Sequence, residues 1–251
     1  MPSFVDIHQH VVYGVDDGPA TLAESIRLLE RDCEQGIRHV IATSHAYPAM
    51  HPFPYECYYR RLSELNQVCR TRNLPVYIYP GCEVFYSREA IRHLEERRLP
   101  TLARSRFVLL EFDPTSAMEG IESGVRETAN IGLIPVVAHC ERYDAFIRDP
   151  QAGAELRARY PMRLQMNCAT ILRRLPHPLR KARDFLLRQG VIDYIATDAH
   201  NATERPPRMM DAYRQLVATY GQRYADHATS GNGYEMGKAP LAGEGMDGEL
   251  E

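Results

Sequence analysis

The chain has 251 residues, of which 44% are hydrophobic and 25% charged, and its formal net charge at pH 7 is -3. This balance is typical of a folded globular protein and argues against a disordered, collagenous or strongly basic nucleic-acid-binding chain. No apolar run approaches the roughly 18 residues of a membrane-spanning helix, and no secretory signal precedes the first strand pattern. We therefore expect a cytoplasmic protein that neither binds nucleic acid nor inserts into a membrane.

Strand and helix patterns alternate along the chain. A strand pattern at 4–7 is followed by a capping box, Thr21 to Glu24, which opens a helix. The apolar face of this helix comprises Leu22, Ile26, Leu29 and Cys33. A second strand, 39–43, leads to a helix predicted from about residue 54 to residue 72. Five further strand patterns follow, at 76–79, 107–110, 134–138, 163–166 and 194–196.

Seven strands that alternate with helices imply parallel strands joined by right-handed crossovers, in either an open doubly wound sheet or a barrel. A length of roughly 220 residues for seven such units favours an α/β barrel. We predict one domain over residues 1–229. Residues 230–251 are rich in glycine and acidic residues, and this composition predicts a flexible tail.

Side chains that commonly bind metals follow six of the seven predicted strands. They are His8, His10, His45, Glu83, Glu111, His139, Asp198 and His200. Because the carboxyl ends of parallel strands meet at one face of a barrel, we expect these side chains to share one pocket. Unpaired charges buried together would be costly, and divalent ions would compensate them. Only the sixth strand, which ends near Asn167, lacks an obvious ligand.

The mixture of imidazoles and carboxylates without thiolates favours Mn²⁺, Fe²⁺ or Zn²⁺ over Mg²⁺ or Ca²⁺. Several ions about 4 Å apart, bridged by a carboxylate such as Glu83, suit hydrolysis of a phosphate ester. Arg142 follows His139 by three residues, and Arg205 follows His200 by five. A guanidinium binds phosphate oxygens through two parallel hydrogen bonds, so we predict that both arginines bind phosphate.

Several motifs together carry a family resemblance. They are DIHQH at 6–10, VDDGP at 15–19, TSH at 43–45, PGCE at 80–83, LEF at 110–112, AHCERY at 138–143, TDAHN at 197–201 and RPP at 205–207. In order and spacing they resemble the polymerase and histidinol phosphatase (PHP) superfamily. Within it, the set is similar to the manganese-dependent bacterial protein-tyrosine phosphatases of capsule and exopolysaccharide operons. The resemblance extends from about residue 4 to residue 220.

The resemblance implies a distorted (β/α)₇ TIM-like barrel, the PHP fold, with three metal ions. The first ion would be held by His8, His10, Glu83 and Asp198. Glu83 would bridge to a second ion, held also by Glu111 and His139. The third would be held by His45, His200 and an acidic residue, for which we favour Asp17 and leave Asp16 open. Mn²⁺ is the expected ion, with Zn²⁺ or Fe²⁺ as alternatives.

In this family the phosphate would be bound by Arg142 and Arg205, and a metal-bridging hydroxide would attack phosphorus in line. The substrate would be the phosphorylated tyrosine cluster of a bacterial tyrosine autokinase, so that the activity regulates polysaccharide synthesis. Two features depart from the family. The loop 46–54 is rich in aromatic residues and proline, and in it His51 is as readily an ordinary loop residue as a ligand. The usual ending, Asn-Pro followed by a short apolar segment, is replaced by the glycine-rich tail, which leaves the oligomeric state open.

Other functions remain as alternatives. A cysteine-dependent phosphatase needs a cysteine and an arginine six positions apart, a spacing met by Cys82 with Arg88 and by Cys168 with Arg174. Neither stretch contains the glycines or the adjacent histidine that would activate a thiol, and the six cysteines are expected to be reduced core residues. A histidinol-phosphate phosphatase would use the same metals, as would an exonuclease, which the acidic charge balance disfavours. A non-catalytic metal-stabilised binding domain is the fourth alternative.

Overall fold

The computed structural model describes residues 3–231 and Met236. In chain order, the strands and helices are β1 (Phe4–Gln9), α1 (Leu22–Glu34), β2 (Ile37–Ala42), β3 (His45–Ala46), α2 (Tyr55–Thr71), β4 (Tyr77–Pro80), β5 (Glu83–Phe85), α3 (Arg88–Glu95), β6 (Phe107–Glu111), α4 (Met118–Asn130), β7 (Ile134–Val137), α5 (Asp144–Arg148), α6 (Pro150–Arg159), β8 (Arg163–Asn167), α7 (Cys168–Leu172), α8 (His177–Arg188), β9 (Tyr194–Ala196), α9 (Met209–Tyr220) and α10 (Gln222–Asp226). Short 3₁₀ turns occupy Leu102–Arg104 and Cys140–Arg142, and a π turn occupies His227–Gly231.

All paired strands are parallel, and they follow the orders β1-β2-β4 and β3-β5-β6-β7-β8-β9. The sheet curls until β9 returns to β1, where Gln9 and Ala199 form a parallel bridge. The His10 amide donates to the Ala199 carbonyl at 2.9 Å, and the Asp198 amide donates to the His8 carbonyl at 2.8 Å. The predicted α/β barrel of parallel strands is therefore confirmed.

Two predicted strands, observed as β2 and β4, are each followed by a short strand that was not predicted, β3 and β5. β2 pairs with β1 and β4, whereas its continuation β3 pairs with β5. At the break, the Thr43 amide donates to the Gln9 carbonyl at 2.8 Å and the Ser44 carbonyl accepts from the Glu83 amide at 3.1 Å. The change of partner brings His45 beside Glu83, its partner in the pairing of β3 with β5.

The first helix begins as predicted. The Thr21 side chain accepts from the Glu24 amide, and the Glu24 carboxylate accepts from the Thr21 amide, so both halves of the capping box are present. Ile26 and Leu29 are buried, but the outer members of the predicted apolar face, Leu22 and Cys33, are only partly buried. The buried positions include the polar Ser25 and Asp32 instead. The second predicted helix, from about 54 to 72, is confirmed as α2.

Side chains alternate between the inside and the outside of the barrel, and this produces two apolar clusters. The inner cluster includes Val5, Ile7, Ile41, Leu109, Val136, Tyr194 and Met236. The larger outer cluster joins the strands to the surrounding helices. The barrel interior is thus a packed core, above which the carboxyl ends of the strands carry polar side chains. Apart from 230, 231 and Met236, the predicted tail lies outside the described residues, and the boundary at residue 229 stays a prediction.

All six cysteines are free thiols, as expected for reduced residues. Cys69, Cys82, Cys140 and Cys168 are buried, whereas Cys33 and Cys57 are only partly buried and so are not core residues. Over the described part of the chain, no helix combines the length and the apolar character that crossing a membrane requires.

Candidate metal centre

The side chain of Glu83 lies at the centre of a buried cluster of histidines. Its Oε2 is 3.3 Å from the Nε2 atoms of both His8 and His10, and 3.2 Å from Nδ1 of His45. Its Oε1 is 2.9 Å from Nε2 of His139. Four predicted ligands from three different strand ends therefore surround one carboxylate, which is itself only 1% exposed.

Two further carboxylates complete the inner part of the cluster. Asp198 Oδ1 lies 3.5 Å from Nε2 of His8 and 3.6 Å from Nε2 of His10. Glu111 Oε2 lies 3.6 Å from Nδ1 of His45, and its Oε1 lies 3.5 Å from Nε2 of His139. Each of these two carboxylates therefore contacts two of the predicted histidine ligands.

A third group lies nearer to solvent. Asp17 Oδ1 is 3.4 Å from Nε2 of His45 and 3.2 Å from Nε2 of His200. The rings of His10 and His200 stack with centroids 3.9 Å apart. All nine predicted ligands are therefore brought to one place, and three subsets each have ligand atoms within 4.8 Å of one another: His10, Asp17, His45 and His200; His8, His10 and Asp198; His45, Glu83 and Glu111.

Asp16 and Asp17 occupy different positions. Asp16 Oδ2 lies 2.9 Å from Nδ1 of His10 and accepts from the His45 amide at 3.1 Å, while its Oδ1 accepts from the Gly18 amide at 3.0 Å. Asp16 therefore contacts Nδ1 of His10, the ring nitrogen that faces away from Glu83. Asp17 is the acidic residue whose oxygen lies beside His45 and His200. The role of Asp17 as a metal ligand stays a prediction.

Several buried ligand atoms lack a hydrogen-bond partner among the described residues: Nδ1 of His45, Oε2 of Glu111 and Nε2 of His200. Buried polar atoms are rarely left unpaired in folded proteins. Here they lie 3.2–3.6 Å from other ligand atoms with a geometry that does not make hydrogen bonds. Nitrogen and oxygen atoms that converge without bonding one another fit divalent ions of the Mn²⁺, Fe²⁺ or Zn²⁺ class.

The electrostatics of the cluster favour cations. Burial opposes ionisation of Glu83, but contacts with His8, His10 and His139 outweigh it and lower the pKa of this carboxyl well below its usual range. Burial likewise opposes protonation of His139, but hydrogen bonds with Glu111 and Glu83 raise its pKa to about 9. Close contacts with the imidazoles of His200 and His45, at 3.2 Å and 3.4 Å, lower the pKa of Asp17. The carboxylates thus stay ionised and draw positive charge into the centre.

Two proposed ligands have unusual backbone geometry. His139 has a φ of 29° and Asp198 a φ of 51°, both in the left-handed region, although neither is glycine. Hydrogen bonds hold these positions: the His139 carbonyl accepts from the Arg142 amide at 2.8 Å, and the Asp198 amide donates to the His8 carbonyl at the same distance. Strained backbone of this kind concentrates at functional sites, where the surrounding structure holds it in place.

Both predicted arginines reach the cluster. Arg142 Nη2 donates to Asp198 Oδ2 at 2.6 Å, and Arg205 Nη2 donates to Asp198 Oδ1 at 3.2 Å. Arg205 Nη1 also lies 3.5 Å from Oδ2 of Asp17. Their side chains are 45% and 42% exposed, so each guanidinium touches the cluster and also faces solvent.

Aromatic side chains form one edge of the site. The ring of Tyr47 stacks on His45 with centroids 5.2 Å apart and lies 5.6 Å from the ring of Phe85. Tyr47 and Phe85 are both partly buried. The imidazole of His51 is exposed and contacts the carbonyl of Pro52 rather than the cluster. The loop 46–54 thus contributes an aromatic edge, and His51 is an ordinary loop residue.

Sequence reasoning missed two buried amides on β8. Gln165 contacts His8 and His139, and Asn167 contacts Asp198. It also missed Asp6, whose carboxylate accepts from the amide and the hydroxyl of Thr197 and so holds β9 against β1. The available signal was a polar residue at every second position of an otherwise apolar buried strand.

The cysteines stand apart from this chemistry. Cys82 donates from Sγ to the Pro100 carbonyl at 3.2 Å, and Cys168 packs against the sulfur of Met209. Burial raises the pKa of both thiols. A thiol that stays protonated is a weak nucleophile, so neither cysteine is suited to attack a phosphate ester.

A parallel barrel with imidazoles and carboxylates gathered at the carboxyl ends of its strands defines a metal-binding α/β-barrel protein. The family model described as "Capsular polysaccharide synthesis, CpsB/CapC" matches residues 4–236, and the chain belongs to this family.

Relatives agree with this assignment. The chain is 31% identical over 232 residues to tyrosine-protein phosphatase CpsB of Streptococcus pneumoniae, covering 88% of this chain and 93% of the relative. It is 26% identical over 217 residues to tyrosine-protein phosphatase YwqE of Bacillus subtilis, covering 86% and 85%.

Solved structures show the same relationship. One belongs to a set of crystal structures of YwqE from Bacillus subtilis and CpsB from Streptococcus pneumoniae, described as unique metal-dependent tyrosine phosphatases. It superposes on this chain with a TM-score of 0.78 at 25% identity, and the match covers 93% of this chain and 91% of the other. A β-aspartyl dipeptidase of Fervidobacterium islandicum, at 14% identity and a TM-score of 0.58 over 94% of this chain and 72% of the other, shares the fold alone.

Proposed function

We propose that this protein is a metal-dependent protein-tyrosine phosphatase that hydrolyses phosphotyrosine on a bacterial tyrosine autokinase and thereby regulates capsular or exopolysaccharide synthesis. The observation that carries the proposal is the convergence of nine ligand-type side chains, Glu83 among them, with two partly exposed arginines beside them. The relatives named as tyrosine-protein phosphatases support the substrate class.

The proposed ligands divide into three sets. His8, His10, Glu83 and Asp198 would hold the first ion; Glu83, Glu111 and His139 would hold the second; Asp17, His45 and His200 would hold the third. We propose Mn²⁺ as the resident ion, with Zn²⁺ and Fe²⁺ as alternatives. Divalent ions bound in this way activate water near neutral pH and polarise the phosphoryl oxygens. Glu83 would belong to both the first and the second set, because its Oε2 faces His8 and its Oε1 faces His139.

The arginines recognise the phosphate. Arg142 and Arg205 each use one nitrogen on Asp198, and this contact fixes the direction of the guanidinium. Arg205 Nη1 also contacts Asp17 Oδ2 at 3.5 Å. The other N–H groups of the two arginines can reach phosphate oxygens, and a planar guanidinium matches two of those oxygens at once. The arginines therefore orient the phosphoryl group over the metal ligands and stabilise the negative charge of the transition state.

The aromatic edge accounts for a tyrosyl substrate. Tyr47 is stacked on His45, a proposed ligand, and so its ring stands beside the position of the phosphoryl group. The ring of phosphotyrosine can pack against Tyr47 and Phe85 with the offset or tilted geometry that aromatic pairs prefer. An aliphatic phosphate ester would gain much less from this edge.

Phosphate release by chelator-stripped protein, with and without restored Mn²⁺, tests the proposal. A phosphotyrosyl peptide and histidinol phosphate are assayed side by side. We expect Mn²⁺-dependent release that favours the peptide, and we expect a phosphorylated tyrosine autokinase to lose its phosphotyrosine on incubation. Preference for histidinol phosphate would move the protein to amino-acid biosynthesis, and no release from either ester would favour a binding domain.

A double variant, His8→Ala with His10→Ala, tests the site itself. We expect it to lose both bound Mn²⁺ and turnover, because two buried ligands of the first ion are removed. The matched control is His177→Ala, which removes an exposed imidazole at the first residue of α8, outside the cluster. A double variant that keeps its metal content and its turnover would show that the site has been assigned wrongly.

A further inference from the structure

We propose that Gln165 and Asn167 are positioning residues that fix the orientation of three proposed metal ligands, His8, His139 and Asp198. The proposal rests on the metal site of the proposed function. It assigns a role to the end of β8, the strand that the sequence analysis left without a ligand. The two side chains are 0% and 2% exposed, so their polar atoms are shielded from water.

Alternation along β8 places both amides on the same side of the strand. Residues two apart on a strand project to one face, and here that face is the inside of the barrel. Leu164 and Met166 project the other way, into the outer apolar cluster. The arrangement leaves Gln165 and Asn167 in contact with each other: Gln165 Nε2 donates to Asn167 Oδ1 at 2.7 Å.

The groups at the two ends of this hydrogen-bond chain, the His139 amide and the Asp198 carboxylate, determine which atom donates and which accepts in each bond. A backbone N–H can only donate, and the His139 amide points at one atom of the Gln165 side chain at 2.7 Å, which must therefore be the oxygen. The NH₂ group of Gln165 then faces Asn167 and donates to its oxygen. The NH₂ group of Asn167 donates in turn to Asp198 Oδ2 at 2.9 Å, where an ionised carboxylate can only accept.

This polarity selects the tautomer of His8. Gln165 Oε1 lies 3.0 Å from Nδ1 of His8. Since that oxygen is an acceptor, Nδ1 must carry the proton, and the lone pair of the neutral ring is on Nε2. Nε2 is the atom that faces Glu83 and Asp198, at 3.3 Å and 3.5 Å. Gln165 thus presents the metal-binding nitrogen of His8 in the protonation state that a metal requires.

The hydrogen bonds from Gln165 to Asn167 and from Asn167 to Asp198, here called the relay, also set the direction of the Asp198 carboxylate. One oxygen of this carboxylate, Oδ2, receives the amide of Asn167, which leaves Oδ1 turned toward His8 and His10. Oδ2 also accepts from Arg142 at 2.6 Å, but the guanidinium of Arg142 is partly exposed, so Asn167 is the buried donor to this oxygen. Loss of the relay should therefore loosen two ligands of the first ion together.

Mn²⁺ affinity is the first readout. Gln165→Met keeps the length of the side chain but loses both hydrogen-bonding groups, and Met166→Leu on the same strand is the matched control. Using Mn²⁺ in competition with a chromophoric chelator, we expect Gln165→Met to bind about 10- to 100-fold more weakly than wild type, the usual cost of removing the partner of a ligand. Gln165→Glu keeps an oxygen for His8 and the His139 amide, so we expect it to recover part of the affinity.

A second measurement needs no variant. In the wild-type protein loaded with Zn²⁺, long-range ¹H–¹⁵N NMR is expected to show His8 with its proton on Nδ1 and its metal bond through Nε2. Metal binding through Nδ1 would overturn the proposal. So would a Gln165→Met variant that binds Mn²⁺ as tightly as Met166→Leu. If the wild type itself binds neither ion, the proposed function fails as well, and the two failures are thereby distinguished.

Discussion

Arg142 donates from Nη2 to Oδ2 of Asp198 at 2.6 Å, so a proposed phosphate-binding group is joined directly to a proposed metal ligand. The same carboxylate receives Asn167 and Arg205. Burial opposes ionisation of Asp198, but electrostatic contacts with His8 and Arg142 lower its pKa below the usual range. A single buried aspartate therefore sets the position of the phosphate relative to the metals.

Replacement of Arg142 tests this link. We expect Arg142→Ala to lower kcat/KM for a phosphotyrosyl peptide by about 100-fold or more, since a donor aimed at transition-state charge is lost. Arg142→Lys should recover only part of the activity, because an ammonium group cannot bind Asp198 and phosphate in the same planar geometry. The assays are run at saturating Mn²⁺.

The control for Arg142 is Arg148→Ala, which removes a guanidinium that is 80% exposed and paired with Asp144. We expect its kcat/KM to match wild type. If Arg142→Ala matched wild type too, the phosphate role of Arg142 would be wrong.

Tyr47 offers a test of substrate class. We expect Tyr47→Leu to raise KM for a phosphotyrosyl peptide by about two- to tenfold, the range that one aromatic pair contributes. Tyr47→Phe keeps the ring and should behave as wild type. Hydrolysis of phosphoserine should be equally slow with all three proteins, because that ester has no ring to pack.

Tyr77→Leu is the matched control for Tyr47. Tyr77 is 57% exposed at the first residue of β4, the opposite end of that strand from the metal centre. Equal KM values for Tyr47→Leu and Tyr77→Leu would show that the aromatic edge does not contact the substrate.

The sequence was sufficient to predict the barrel and the convergence of the ligand-type residues because both follow from position alone. Parallel strands bring their carboxyl ends to one face, whatever the packing between them. The short strands β3 and β5 were not predicted. They form because the chain after β2 leaves the neighbours of β2, which are β1 and β4, and β3 pairs with β5 instead. The hydrophobic pattern of 39–43 contains no sign of that exchange.

Contacts that depend on side-chain direction were also beyond the sequence. Asp16 and Asp17 are adjacent and chemically identical, and only the chain path shows that one supports His10 while the other faces His200. Gln165 and Asn167 carry amides that are weak signals for a metal site. Their importance follows from the donor at one end of their hydrogen-bond chain and the acceptor at the other.

The cysteines provide a test of mechanism. We expect Cys82→Ser and Cys168→Ser to keep Mn²⁺-dependent hydrolysis of a phosphotyrosyl peptide, because both thiols are buried and their pKa values are raised. Loss of a true nucleophile costs on the order of 10⁶-fold in kcat. A loss of that size with Mn²⁺ still bound would replace the metal mechanism by a thiolate mechanism. Unfolding curves for both variants serve as the control for stability.

The buried pair of Asp32 and Gln9 predicts a pH-dependent stability. Gln9 Nε2 donates to Asp32 Oδ1 at 2.8 Å and to Asp6 Oδ2 at 3.1 Å, and the other oxygen of Asp32 has no hydrogen-bond partner among the described residues. Burial and the nearby charge of Asp6 raise the pKa of Asp32 well above its ordinary value of 3.8. The folded protein thus binds a proton at Asp32 more tightly than the unfolded chain does.

The sign of the effect follows from this difference. The stability that Asp32 contributes is complete below the unfolded pKa near 3.8 and is lost as the pH rises through the higher folded pKa. Asp32→Asn keeps the oxygen that accepts from Gln9 and removes the ionisation. We therefore expect the free energy of unfolding of Asp32→Asn, relative to wild type, to increase with pH, by about 1.4 kcal/mol for each unit by which the pKa is raised.

Chemical unfolding of both proteins from pH 4 to pH 8 measures the difference. Glu30→Gln on the exposed side of the same helix is the control. Its difference from wild type should stay flat with pH, because the ion pair that Glu30 makes within the described residues, with Arg72 at 3.8 Å, is exposed. A flat difference for Asp32→Asn as well would mean that Asp32 is ionised in the folded protein at little cost, with Gln9 and other contacts compensating its burial.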